Sequence, residues 1–378
     1  MDLNLTHRQI ELRNRIRTFA EKELAPTASA RDDAGTFDRW VFDACVEAGL
    51  AGLPFRVKYG GGGGSLLDYI IALEEIGRVE SAQVLVLASH LAPMTCIHQH
   101  GTEEQKQGWL VPMCKGETLA CFSITEPGAG SDPGSMKSRA VRDGDFYLLN
   151  GRKTFATNSG AADTYVLFAS TDPEAGGKGV SAFIIPRDTP GLSFGDPIQK
   201  MGVRTSVQRE VYLEDLRLPA ENLLGQEGEG LRIALAALDV GRIEIAAQGV
   251  GLSQGAYDYA LNHARGREQF GRAIGQNQAV SFMLADMHVA TEAARLLTYK
   301  AALAYDEGKP FAKEAAMAKL LATDTAMRVT TDAVQILGGF GVTKASPVER
   351  FMRDAKVTQI YEGTNQVQRM VIAGHIMR

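Results

Sequence analysis

The chain has 378 residues, 45% hydrophobic and 22% charged, with a formal net charge of −5. That length allows two or three domains around a large core, and the acidic balance argues against a nucleic-acid partner or attachment to an anionic membrane. The four cysteines, Cys45, Cys96, Cys114 and Cys121, form no CxxC pair and read as buried free thiols of a reducing compartment.

In chain order, residues 1–5 lack a basic segment followed by an apolar one, and no apolar run approaches about 18 residues, so a cytoplasmic protein with no membrane partner is expected. Residues 1–118 read as a helical domain. Thr6 and Gln9 have capping-box spacing, and the helical pattern that follows is expected to end at Pro26. Trp40, Val41, Ala44, Cys45 and Ala48 form a second apolar stripe closed by Gly49, and residues 65–79 and 81–98 read as a helix pair. The glycine run 60–64 is followed by no Lys-Ser/Thr, so it is no phosphate loop of the Walker type, and a mobile connector is expected. His98 and His100 have no Cys or acidic cluster beside them to complete a metal site. Thr102 and Gln105 suggest another capping box.

Residues 119–228 read as a β domain. Short alternating runs are punctuated by Asp143-Gly144 and Asn150-Gly151, each expected to turn a hairpin. Several short strands at this spacing suggest a small barrel or sandwich. Residues 229–378 turn helical again, with long Ala/Leu/Met-rich stretches over 231–265, 276–306 and 311–337 that suggest an antiparallel bundle. Residues 233–251 are apolar nearly all round, which points to a subunit interface.

Near the C-terminus, Ile360-Tyr361-Glu362-Gly363-Thr364-Asn365-Gln366 places one carboxylate between two helical patterns, where it can point into a cleft. Three further segments resist a purely structural account. Residues 122–132, with Gly128 and Gly130, make a loop of backbone donors and hydroxyls suited to a nucleotide or phosphate. Residues 265–272 put arginines, Phe270 and glycines in a helix link, where they could meet a diphosphate and an adenine ring. In residues 335–341 the glycines allow close backbone approach, though they also suit a plain helix cap.

Taken in order, ITEPGAGSD, NGRKTFATN, KMGVR, LDVGRIEIAAQ, REQFGR, FMLADM, QILGGFG, ERFMRDAK and IYEGTNQVQR resemble the acyl-CoA dehydrogenase family from about Thr6 to the C-terminus. The resemblance implies an α+β fold: an N-terminal helical domain, a middle β-barrel or sandwich domain and a C-terminal four-helix bundle, in a homotetramer with FAD between the β domain and the bundle. It implies desaturation of an acyl-CoA thioester to the trans-2-enoyl-CoA in fatty acid β-oxidation, with an electron-transfer flavoprotein as acceptor. By resemblance, Glu362 is the catalytic base, and Phe122, Ile124, Thr125, Phe155 and Thr157 contact the flavin ring. Ser131 serves both the flavin diphosphate and the substrate. Arg267, Phe270, Gln278, Gln335 and Gly339 hold the FAD adenosine and diphosphate, partly across a subunit boundary, and Thr364 and Gln366 also touch FAD. Asp239, Arg242, Tyr361 and Gly363 lie along the acyl-CoA.

The chemistry suits these residue types. An α-proton is too weakly acidic for an exposed carboxylate, so the site must raise the carboxylate's basicity by desolvation and stabilise the enolate-like oxygen with donors. Some relatives carry the base on a bundle helix, at the position that is Gly241 here and cannot serve. Glu244, one turn later, either borders the acyl cavity or packs the helix. Two rival readings keep the fold: an oxidase or monooxygenase that reacts with O₂, and a non-catalytic acyl-CoA-binding protein. The retained Glu362 weighs against both.

Overall fold

The computed structural model describes residues 4–377; Met1–Leu3, part of the stretch read for a leader, lie outside them. α1 (His7–Phe19) starts at Thr6, where Thr6 and Gln9 form the reciprocal capping box. Pro26 does not end this helical run. A π-helical turn, Ala20–Leu24, leads straight into α2 (Ala25–Ala34), and Pro26 falls in that helix's first turn, where its missing N–H costs nothing.

α3 (Arg39–Glu47), α4 (Leu66–Gly77) and α5 (Ser81–His100) follow, then α6 (Glu103–Gln105), capped by Thr102, and α7 (Val111–Cys114). The glycine run before α4 is no mobile connector. The N–H groups of Gly61, Gly62, Gly63 and Gly64 donate to the carbonyls of Arg56, Gly52, Phe55 and Leu53. A Cβ on Gly61 would lie 2.4 Å from the Phe55 carbonyl oxygen, so two stretches of backbone touch here and only glycine fits between them.

The β region comprises β1 (Ala120–Ser123), β2 (Arg139–Asp143), β3 (Phe146–Thr157), β4 (Thr164–Ser170), β5 (Val180–Pro186), β6 (Leu192–Phe194), β7 (Gln208–Pro219) and β8 (Leu223–Leu224). Two halves, β6-β7-β3-β2 and β1-β4-β5-β8, are joined through one parallel pair, Arg139 with Ser170. Asp143-Gly144 turns the β2–β3 hairpin, but Asn150-Gly151 turns nothing. β3 runs on through it against β7 with a register shift between Leu149 and Gly151, and the Asn150 side chain exchanges hydrogen bonds with Asp215. The Asn-Gly signal marks a bulge, which increases the strand's twist.

α8 (Gly230–Gly266), a short pair β9 (Glu268–Gln269) and β10 (Arg272–Ala273), α9 (Gln278–Asp306), α10 (Ala312–Leu337), α11 (Val348–Thr358) and α12 (Asn365–Ile376) complete the chain. α8 is the axle of the molecule, packed on α4, α5, α9 and α10. Most of the apolar surface of residues 233–251 is therefore covered within the chain, Leu235 excepted, so its apolar character needs no subunit interface to account for it. Exposed apolar side chains lie instead on α9, where Phe282, Val289 and Leu296 recur every seventh residue on one face. All four cysteines are buried and free. Among the described residues no group of three His, Cys, Asp or Glu is placed to hold a metal, and no helix is long and apolar enough to cross a membrane.

Candidate active site

Between α11 and α12 the backbone turns through Glu362 and Gly363, both left-handed, at φ +53° and +83°. Such a conformation is strained for glutamate and persists only where neighbours dictate it. Here they do. The Tyr361 hydroxyl donates to Gln248 Oε1 at 2.5 Å, and Gln368 Nε2 donates to the carbonyls of Glu362 (3.0 Å) and Gly363 (2.9 Å). Lys319, fully buried on α10, donates to the Gly363 carbonyl (2.9 Å) and to Asn365 Oδ1 (2.8 Å). Thr364 caps α12 by accepting the Val367 N–H. The turn is a rigid mount.

It aims the Glu362 carboxylate at α8. A Cβ on Gly241 would stand 2.9 Å from Glu362 Oε2, so any side chain there would displace the carboxylate. Oε2 is buried and has no hydrogen-bond partner. Burial pushes the Glu362 carboxyl up to about 7, while the charges of Arg242 and Lys319 pull it back. Burial likewise brings the Lys319 ammonium down to about 7 against the pull of Glu362. A carboxylate poised near neutrality and short of partners is equipped to accept a proton.

Arg242 is buried beside Glu362 and ion-pairs with Asp239. Asp239, with Lys178, Gly228 and Arg232, lines an open cleft of about 820 Å³ along the start of α8. Through the Asp239–Arg242 ion pair this cleft, with Lys178 and Arg232 on its wall, adjoins the buried Glu362 carboxylate.

A second group of candidates gathers at the sheet. The Thr154 N–H donates to the Thr125 carbonyl at 2.9 Å, pinning the end of β1, with Phe122, Ile124 and Thr125, against Phe155 and Thr157 of β3. Phe155 is left-handed at φ +54° and 63% exposed, a large ring held out with nothing over it. The Glu126 carboxylate fixes the base of the adjoining loop by accepting from the Lys137 and Ser138 N–H groups and from Lys153 Nζ. Its tip is open: a Cβ on Gly128 or Gly130 would meet nothing, and Ser131 is exposed. An uncovered ring, paired threonines and free loop amides fit the flat ring and diphosphate of FAD. This sheet edge reaches the Glu362 turn through α5. Ser89 donates to the Thr157 carbonyl at 3.1 Å, while Ala82 and Leu85 pack with Val203 and Tyr361.

The remaining candidates lie elsewhere. Arg267, Phe270 (99% exposed), Gln278, Gln335 and Gly339 sit at the far ends of α8 and α10, where the His263 and Phe340 rings stack at 6.2 Å. At 1.5 Å per residue, Arg267 is about 39 Å along α8 from Gly241. One chain therefore does not bring these residues to its own Glu362. Gln366 is exposed on the first turn of α12. Sequence reasoning missed Lys319 and Gln368, which hold the turn. The available signal was a lysine at 319 amid alanines 315, 316, 318 and 322, all of them buried.

Three family models match end to end: acyl-CoA dehydrogenase N-terminal domain over residues 6–117, middle domain over 121–216 and C-terminal domain over 228–377. The chain belongs to the acyl-CoA dehydrogenase family, and it is an enzyme of that class. It is 48% identical to the short-chain specific acyl-CoA dehydrogenase of Clostridium acetobutylicum, with both chains fully covered. Its fold matches the butyryl-CoA dehydrogenase of Megasphaera elsdenii at a TM-score of 0.98 and 46% identity, again over both full chains. It matches, at 0.99 and 49% over both full chains, a chain solved in work on the electron transferring flavoprotein of Acidaminococcus fermentans and flavin-based electron bifurcation.

Proposed function

We propose that the chain desaturates short acyl-CoA thioesters, with Glu362 taking the α-proton. The observation that carries this reading is the unpartnered Glu362 carboxylate, held near neutrality on a rigid turn against α8, the helix that also lines the cleft. The acyl-CoA lies along the start of α8, its phosphates toward Lys178 and Arg232 and its pantetheine past Asp239 and Arg242. Gly241 puts no side chain between α8 and the Glu362 carboxylate, beside which the reacting carbons are placed. The Glu362 N–H, beyond the last turn of α11, is assigned to the thioester oxygen. FAD, when bound, supplies the acceptor for the β-hydrogen, which leaves as hydride. Phe122, Ile124, Thr125, Phe155 and Thr157 would hold its ring, with Ser131 at the diphosphate and Thr364 and Gln366 on the other side.

A partner protomer would bring Arg267, Phe270, Gln278, Gln335 and Gly339 to the adenosine end, since a chain's own copies lie too far away. This supports an oligomer, for which we propose a homotetramer, and an electron-transfer flavoprotein as acceptor. Arg267→Ala is then expected to purify depleted in flavin; full flavin occupancy would remove that residue from the cofactor site.

The test is an anaerobic titration of the flavin-loaded protein with butyryl-CoA, following loss of the flavin's visible absorption. Because Glu362 must be ionised to act, the rate of flavin reduction at low substrate is expected to rise with pH through about 7 and level off above it. Absence of bleaching with any acyl-CoA contradicts the assignment, and a rate flat from about pH 6 to 8 removes the perturbed base.

A further inference from the structure

Past the Glu362 contact, α8 carries the next residues inward from the cleft. Asp239 marks where the substrate enters, Gly241 faces the reacting carbons, and Glu244 follows three residues later on the same helix face. Gln248, another turn on, closes the path. Its amide donates to the Ser81 carbonyl and hydroxyl at 2.9 Å each, and its oxygen accepts from Tyr361. Gln248 is fully partnered, whereas two buried side chains before it are not. Glu244 is 1% exposed with Oε1 free of any hydrogen bond, and Tyr69 of α4, fully buried, has a free hydroxyl. The two sense each other: the Glu244 carboxyl adds to the effect of burial in raising the Tyr69 phenol. No cation offsets Glu244. Burial and the nearby Glu362 carboxylate both push its carboxyl well above the ordinary range, which favours the protonated form that can donate as well as accept. Two neighbouring buried polar groups without partners are costly unless a ligand satisfies them, and a methyl-ended chain satisfies neither.

We propose that Glu244 and Tyr69 form a polar floor to the acyl pocket that selects short acyl chains ending in an uncharged hydrogen-bonding group, such as a hydroxyl. The inference rests on the substrate path proposed above and names what lies at its end. Glu244 is a specificity-determining residue on this reading, not a second base.

The experiment compares kcat/KM for pairs of short acyl-CoAs with equal heavy-atom counts, one hydroxyl-ended and one methyl-ended, in the flavin-loaded enzyme. Wild type is expected to favour the hydroxyl-ended member of at least one pair by about tenfold or more, because a site built to bond a hydroxyl rejects the analogue lacking it. Glu244→Gln keeps the preference and Glu244→Leu reverses it toward the methyl-ended chain. If Glu244→Leu does not fold, Tyr69→Phe provides the same comparison through the loss of one donor. A wild-type preference for the methyl-ended chain in every pair overturns the proposal. So does an unchanged ratio in Glu244→Leu, or a stronger preference for an ammonium-ended chain. Butyryl-CoA is the control: failure to bleach the flavin with any acyl-CoA would sink the dehydrogenase reading itself, whereas bleaching without a hydroxyl preference sinks only the polar floor.

Discussion

Glu362→Gln is expected to load FAD and bind acyl-CoA yet reduce its flavin about 10²–10⁴-fold more slowly, the range attributable to one positioned general base. Glutamine keeps the shape, and Oε2 makes no hydrogen bond that an amide would forfeit. No neighbour can stand in. Burial and Glu362 itself both disfavour an ionised Glu244, and Gly241 has no side chain. The same substitution carries a stability signature with a definite sign. Glu362 has a folded-state pKa raised to about 7, so its ionisation opposes folding. The penalty is absent below the ordinary carboxyl range of about 4.3, grows between there and about 7, and is complete above. The variant should therefore melt higher than wild type above neutrality and level with it in acid. Substantial residual flavin reduction would move the base elsewhere, and equal melting at all pH values would mean that the carboxylate is not penalised by burial.

Much of this site was legible because its residues break local patterns. A carboxylate followed by glycine between two helical runs identified the turn, and the turn is where Glu362 stands. Left-handed backbone, by contrast, leaves no reliable mark on non-glycine residues. Phe155, Val203, Phe270 and Glu362 all adopt it. The errors share one cause, in that tertiary contact overrode a local signal. Asn150-Gly151 is a strong turn dipeptide, but β7 pairs along all of β3 and converts it to a bulge. Pro26 stops an isolated helix, yet the preceding π turn reset the register so that proline begins a new one. The glycine run looked loose because its partners, at residues 52–56, are not periodic. What sequence could not disclose was direction: that α8 leads from the cleft past Glu362 to Glu244, and that Lys319 lies beneath the turn.

Lys319→Met is expected to separate activity from stability. Lys319 touches neither the groove nor the flavin edge; it is a positioning residue acting on Glu362 through the Gly363 carbonyl and Asn365. Its removal leaves no acceptor orphaned. The Gly363 carbonyl still receives Gln368 Nε2, and the Thr323 hydroxyl, which also donates to the residue 319 carbonyl, can turn to Asn365 Oδ1. Lys319 is also a cation held against burial, its pKa brought down to about 7, so charging it opposes folding below the ordinary lysine range. Replacing such a group by an apolar one of similar volume is often neutral or stabilising, and the melting temperature should hold or rise. Catalysis should not hold. With one of its tethers gone the turn loosens, and a displacement of about 1 Å at a reacting group can cost about 10²-fold, so kcat should fall about 10- to 100-fold with KM little changed. The loss of positive charge also removes one of the two pulls that lower the Glu362 pKa, so the rising limb of the pH profile must move to higher pH. Lys319→Arg, which keeps the charge but not the fit, should leave that limb near its wild-type position while still lowering kcat. An unchanged limb and kcat in Lys319→Met would mean that Gln368 and Tyr361 alone hold the base.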